Sequence, residues 1–303
     1  MEHPYYLLDV FTSRAFGGNQ LAVFTDGTAI DGVEMAAIAR ELNLSETVFV
    51  LPPQDPRASH RLRIFTPGME LPFAGHPTIG TGYLLADLGL IARTNGVGTC
   101  VFEEGVGPVP VSIAPRGTTP IFVQMSPARL PERRDAEVSR ADLATMLNLA
   151  PADLGAGADA PAAWSAGLAF LVVPLTSREA LLRARIDTSV WKRIAAETWA
   201  PHIYLCHRDE AAASPLLHAR MFAPAMGIVE DPATGAAACA VAGYLASLDS
   251  AVSGTITWKI EQGVEMGRPS ELWVDIDTRA GAIAAVRLGG TAVRVGRGFF
   301  TLK

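Results

Sequence analysis

The sequence has little cysteine, no long apolar run and no cluster of basic residues. Its three cysteines, Cys100, Cys206 and Cys239, are odd in number, widely spaced and set among apolar or small residues. That excludes a disulfide framework and gives no zinc-binding spacing, so buried reduced thiols are expected. His202 and His207 flank IYLC five residues apart, a strand-like separation that fails the i, i+4 pattern of a helical metal pair. The longest apolar runs, such as AFLVVPL (169–175), fall far short of the roughly 20 residues a membrane helix needs. The opening MEHPYYLLDV lacks the basic start, long apolar centre and small-residue cleavage site of a signal peptide. No membrane partner and a cytoplasmic location are therefore expected. A net charge of -6 and a pI near 5.5, with no Lys/Arg cluster interleaved with aromatics, disfavour a nucleic acid partner.

What is present is the composition of a folded protein. The chain has 303 residues, 49% of them hydrophobic and 18% charged, which is enough for a sizeable core in two similar domains or one large one.

Laid against itself at an offset of 157, the sequence places RIFTPGM (63–69) over RMFAPAM (220–226). Arg, Phe, Pro and Met recur in register. At the same offset FAGHPTIGTG (73–82) lies over EDPATGAAAC (230–239), and GYL recurs at 82–84 and, four residues later than that offset, at 243–245. The repeated order of strand, turn and helix indicates a duplicated half. The expected division is 1–118 for the first lobe and 119–291 for the second, with a last strand, about 292–303, able to return to the first.

Strands are expected around YYLLDVFT, QLAVF, ETVFVL, HRLRIFT, GTCVFEEG and PVPVSIA. A helix is expected over DGVEMAAIARELN, with Asp31 as its N-cap. The second half begins near IFVQMS. It supplies strands at LAFLVVPL, PHIYLCH, LHARMFAP, GTITWKIEQG, ELWVDID, AIAAVRLGG and AVRVGRGFFTL. The stretch 131–163 reads as a surface insertion of one or two short helices and a Gly/Ala/Pro loop. Each half is then mostly strand around one prominent helix.

The two turns carry the chemistry. Proline suits the first turn of a helix, because no N–H is needed there. On that ground His76-Pro77 and Asp231-Pro232 are read as two helix starts, equivalent by pseudo-symmetry. Free amides at a helix N-terminus form a natural carboxylate or phosphate site, with Gly75 and Thr234-Gly235-Ala236 allowing close approach. Ordinary capping explains either turn alone; the pair favours an anion site in a cleft. Glu46 opens ETVFV in phase with Val48 and Val50. On a shared apolar face its carboxyl would be desolvated and its pKa raised, suiting it to take and return a proton. A strand-end glutamate turned to water is the other reading of the same pattern.

The segments LDVFTSRAFGGNQLAVF (8–24), LNLSETVFV (42–50), RIFTPGMELPFAGHPTIGTG (63–82), EDPATGAAACAVAGYL (230–245) and IEQGVEMGRPSEL (260–272) together resemble the phenazine-biosynthesis PhzF-like isomerase family. The resemblance runs from about residue 5 to the C-terminus and is weakest over about 127–163. It implies an α+β, diaminopimelate-epimerase-like fold: two pseudo-symmetric lobes, each a curved β-sheet wrapped around a central α-helix, with the site in the cleft. Epimerase relatives use one cysteine from each lobe, near the positions of Ala74 and Pro232, and neither is cysteine here. The resemblance instead implies an isomerase of the trans-2,3-dihydro-3-hydroxyanthranilate type. Glu46 would move a proton on one face of a small carboxylate, and His76 and Asp231 would orient the substrate and tune that glutamate. Backbone amides of Gly75, His76, Gly235 and Ala236 would hold the carboxylate. It further implies no metal, no organic cofactor and a homodimer.

Two departures stand out. Phenazine-pathway members carry serine where this chain has Ala236, and their GNP turn is GNQ here, with Gln20 in place of proline. The first removes a hydroxyl contact to substrate but no backbone N–H. Two alternatives carry the same fold: a non-catalytic binding or regulatory protein, and an epimerase using bases other than cysteine.

Overall fold

The computed structural model describes residues 1–248 and 253–302; Lys303, expected in the last strand, and residues 249–252 lie outside them. The chain forms two compact units, Met1–Ser126 with Gly289–Lys303, and Pro127–Leu288. No helix among the described residues is long and apolar enough to cross a membrane.

The first unit runs β1 (Glu2–Val10), β2 (Asn19–Phe24), α1 (Gly32–Leu42), β3 (Glu46–Leu51), β4 (His60–Phe65), β5 (Glu70–Leu71), α2 (Gly75–Asp87), β6 (Gly98–Glu104), β7 (Gly107–Arg116) and β8 (Thr119–Met125). The second runs β9 (Glu132–Asp135), α3 (Arg140–Leu147), β10 (Ala162–Ser165), β11 (Ala169–Pro174), α4 (Arg178–Arg183), α5 (Thr188–Ile194), β12 (His202–Arg208), β13 (Leu216–Ala223), β14 (Ile228–Asp231), α6 (Gly235–Leu248), β15 (Gly254–Gln262), β16 (Ser270–Arg279) and β17 (Ala282–Gly290). A last strand, β18 (Ala292–Thr301), pairs antiparallel with β1 in the first unit. Because β8 pairs with β7, the division falls after Ser126 and not near residue 118.

In the first unit, hydrogen-bonded neighbours run β18, β1, β2, β3, β4, β6, β7, β8. Helix α2 touches strands near both ends of that series, β18, β1, β2 and β3 on one side and β7 and β8 on the other. A sheet that meets one helix from both ends must curl around it. Every residue of α2 from Gly75 to Gly82 is buried, His76, Thr78 and Thr81 among them, so the helix is interior on every face. The second unit repeats the plan. Strands β9, β10, β11, β12, β13, β15 and β16 are hydrogen-bonded in that series, and α6 packs on β9, β10 and β11 as well as on β16.

Glycine permits these approaches. A side chain at Gly243 would run into the Trp164 ring and Pro131. The GYL glycine of the first unit, Gly82, is less confined: an added Cβ would lie 3.0 Å from a Val123 methyl.

The remaining helices lie outside the sheets. Asp31 caps α1 and forms a capping box with Glu34, and α1 buries Met35, Ile38 and Ala39 against Phe24, Phe49 and Phe65. The stretch after β9 corrects the surface-insertion reading. Leu143, Met146 and Leu147 of α3 join Leu154, Leu181, Trp191 and Ile203 in one core cluster. Helices α4 and α5, which no periodic pattern announced, start at Ser177 and Asp187, each accepting a backbone N–H as N-cap.

Candidate active site

The repeat is real in three dimensions, and it slips. Arg63 grips Glu70 with two 2.7 Å hydrogen bonds and lies over the Phe65 ring. Arg220 grips Glu230 at 2.8 and 2.9 Å and lies over Phe222. The arginines are 157 apart in sequence, but the glutamates are 160 apart. Three more residues therefore separate Arg220 from its glutamate.

Beyond that slip ELPFAG (70–75) lies over EDPATG (230–235), and α2 and α6 begin at the matching glycines, Gly75 and Gly235. This corrects the expected pairing of His76-Pro77 with Asp231-Pro232. Pro77 is the third residue of α2, whereas Pro232 lies before α6 begins. Counted from the helix starts, His76 matches Ala236 and Asp231 matches Leu71. The scaffold and its Arg–Glu pair are duplicated, but His76 and Asp231 are not.

In the first unit the structure brings Glu46 and His76 together. Strand β2 lies parallel to β3 with Leu21 opposite Glu46, which sets Glu46 at the start of β3, followed by the buried Val48 and Val50. His76, in the first turn of α2, is 5% exposed. Its Nε2 lies 3.1 Å from Oε2 of Glu46, without the alignment of a hydrogen bond.

Burial drives the His76 imidazole down to about 3, against the opposing effect of its hydrogen bond to the Gln20 backbone, so the ring is neutral at ordinary pH. The bond to Gln20 favours the charged ring, and is therefore one in which the ring donates to a carbonyl. Any residue supplies that carbonyl, so glutamine at position 20 leaves the contact intact. Before α2 stands Ala74, extended at φ -152° and without a side-chain cap. Alanine is a poor N-cap, so no side chain occupies the Gly75 and His76 amides from that position.

In the second unit Asp231, 6% exposed, accepts the Thr234 hydroxyl at 2.5 Å. Gln262 fastens the same turn: its Nε2 donates to the Asp231 carbonyl at 2.8 Å and to the Thr234 hydroxyl oxygen at 3.0 Å. Gly263 follows at φ +75°, and a Cβ there would strike the backbone oxygens of Pro232 and Arg268. Gly235 and Ala236 form the first residues of α6 beyond this turn.

Sequence reasoning assigned no role to Gln262, although it lies within the IEQG motif. It also passed over Asp9, whose carboxylate accepts the Phe16 amide at 2.7 Å. That contact holds the β1–β2 turn, with Phe16 at φ +71°, just ahead of Gln20.

The three cysteines are buried and unpaired by disulfide. Burial pushes the Cys100 and Cys239 thiols up to about 12, and Cys206 higher still. Thiolate chemistry near neutral pH has no reagent among them.

Comparison with known proteins gives the family. The sequence model of the family described as phenazine biosynthesis-like protein, PhzC-PhzF, matches residues 8–298. The chain belongs to the PhzF-like isomerase family. An uncharacterized isomerase of Mesorhizobium japonicum is 42% identical over 299 residues, 97% of each chain. The trans-2,3-dihydro-3-hydroxyanthranilate isomerase of Pseudomonas fluorescens is 33% identical over 303 residues, 99% of this chain and 100% of that one. A crystal structure of a PhzF-family phenazine biosynthesis protein from Bacillus anthracis matches at a TM-score of 0.91 and 25% identity, covering 100% of both chains. The fold is the α+β, diaminopimelate-epimerase-like fold of the PhzF family.

Proposed function

We propose that this PhzF-family chain is an isomerase that moves a proton on one face of a small carboxylate substrate, with Glu46 as the only acid/base. The observation that carries the proposal is the 3.1 Å approach of Glu46 to a neutral His76. With its single N–H given to Gln20, the imidazole offers Glu46 a lone pair. That lone pair accepts a hydrogen bond from a protonated carboxyl group and none from a carboxylate. Glu46 as carboxylate takes a proton from one carbon, is steadied by His76 while it holds it, and returns it to another carbon of the same substrate. The bond to His76 exists only after the proton has moved, so it favours the intermediate over the ground state.

The uncapped amides of Gly75 and His76 suit a substrate carboxylate. The repeat and the family resemblance support the same task for Gly235 and Ala236, with Asp231 as a second orienting group. The asymmetry of the repeat supports a one-base reaction, since the position matching His76 is Ala236. The chemistry asks nothing of a metal or organic cofactor.

The test is incubation with trans-2,3-dihydro-3-hydroxyanthranilate in deuterated water, following absorbance and deuterium uptake. Glu46→Gln is expected to fold and bind but to lose about 10²–10⁴-fold in turnover, the range of a general acid/base. His76→Ala is expected to lose less and to bind more weakly. Undiminished turnover in Glu46→Gln would end the assignment. A wild type that inverts a stereocentre would favour an epimerase, and one that binds without exchanging deuterium would favour a binding protein.

A further inference from the structure

Glu104, the last residue of β6, is 5% exposed. Its Oε1 lies 2.7 Å from the hydroxyl of Thr78 in the first turn of α2, and that hydroxyl lies 2.7 Å from the carbonyl of Ala74. A hydroxyl has one proton and cannot donate to two acceptors at once. The contacts are all satisfied if the Glu104 carboxyl is protonated, donating to Thr78 while Thr78 donates to Ala74. The Ala74 carbonyl also receives the Thr78 amide at 3.3 Å, so the relay ends on the peptide between Ala74 and Gly75. Ionising Glu104 would draw the Thr78 proton away from that peptide.

We propose that Glu104 is a positioning residue for the isomerase, holding through Thr78 the plane of the Ala74–Gly75 peptide whose N–H faces the substrate carboxylate. The proposal rests on the reading of that turn as the carboxylate site. Burial raises Glu104 to about 8, outweighing the opposite effect of its bond to Thr78, so the relay is intact at neutral pH.

Arg61, Arg63, Glu70 and Glu103 line with Glu104 a surface cavity of about 420 Å³. Arg63 and Glu70 are paired, and Glu103 accepts the Gln54 and Asp55 amides. His60 on β4 is held below its usual range by burial, and His76 on α2 is neutral.

The experiment follows the Gly75 amide by NMR from pH 6 to 10, with carbonyl-labelled alanine and ¹⁵N-glycine selecting the five Ala-Gly pairs and Ala74→Ser identifying Gly75 as the signal lost, and then titrates benzoate as the carboxylate probe. In wild type the Gly75 resonance is expected to move with a midpoint near 8. It is expected to stay fixed in Glu104→Gln, whose amide donates to Thr78 and never ionises, and in Thr78→Val, which lacks the relay. Benzoate is expected to bind wild type about tenfold more weakly at pH 9 than at pH 7, and Glu104→Gln equally at both. A Gly75 resonance that ignores pH in wild type, or titrates unchanged in Glu104→Gln, overturns the proposal. A titrating Gly75 with no benzoate binding at any pH overturns the carboxylate site itself, and with it both readings.

Discussion

Removing Arg220 and removing Arg63 should have very different costs, although the two arginines are repeats of one another. Arg220 is nearly enclosed, with its side chain 4% exposed and that of Glu230 17%. Beyond its two bonds to Glu230 it donates to the carbonyls of Leu181 and Ala184 at 2.9 and 2.8 Å. These belong to the last turn of α4 and the residue just past it. Arg220→Ala strands a largely enclosed carboxylate and the Leu181 carbonyl, while Ala184 keeps its bond from Arg185, and breaking such a pair from one side costs about 3–5 kcal/mol. The Arg63–Glu70 pair is 23% and 44% exposed. Arg63→Ala leaves Glu70 to water and costs about 1 kcal/mol.

The chain itself supplies the probe. All five tryptophans, Trp164, Trp191, Trp199, Trp258 and Trp273, lie in the second unit, so tryptophan fluorescence follows its unfolding. At a urea dependence of about 2 kcal/mol per M, the Arg220→Ala midpoint by fluorescence falls by about 2 M. The corresponding shift for Arg63→Ala, followed by circular dichroism, is about 0.5 M or less. Equal shifts for the two variants would refute the argument that burial, and not the pair itself, sets the cost.

The GYL glycines make a similar contrast. Gly243→Ala forces a methyl onto Trp164 and Pro131 and should destabilise by about 1–3 kcal/mol. Gly82→Ala meets only a Val123 methyl that can give way, so the gain in helix propensity, about 1 kcal/mol, leaves it near neutral in the same melts. Stability should peak near pH 6.5. His76 and His202 fall from 6.5 to about 3 and about 4, so their contribution is complete above 6.5 and is lost as pH drops toward those values. Glu104 rises from 4.5 to about 8, so its contribution is complete below 4.5 and is lost as pH climbs to 8. Each slope is at most about 1.4 kcal/mol per pH unit. Glu104→Gln should flatten the decline above 6.5, steepen the rise between 4.5 and 6.5 where Glu104 opposes the histidines, and leave the slope below 4.5 unchanged; a decline that persists in that variant would refute the assignment.

Local chemistry made several features legible before folding. Asp31 and Glu34, three residues apart, spell a capping box that forms as written. The alternation of ETVFV marks a strand, and Glu46 does open it. Helices α4 and α5, of 6 and 7 residues, are too short to show a helical period. Only their caps, Ser177 and Asp187, carried a signal. The segment around α3 looked like an insertion because its composition is poor in large apolar residues. Its one methionine and three of its four leucines are nonetheless buried, and the fourth, Leu149, is partly so.

The sequence alone determined the family, the duplication and the identity of the residues in both turns, because motifs and repeats are written in residue order. Which repeat positions correspond was decided by the tertiary structure. The three-residue slip is visible only when Arg63–Glu70 and Arg220–Glu230 are seen as the same ion pair, and it leaves His76 and Asp231 without repeat partners. The protonation states were decided there too. A histidine becomes a neutral hydrogen-bond acceptor, and a glutamate 26 residues from its threonine a neutral donor, only when the folded chain removes water from around them, and no local pattern records that desolvation.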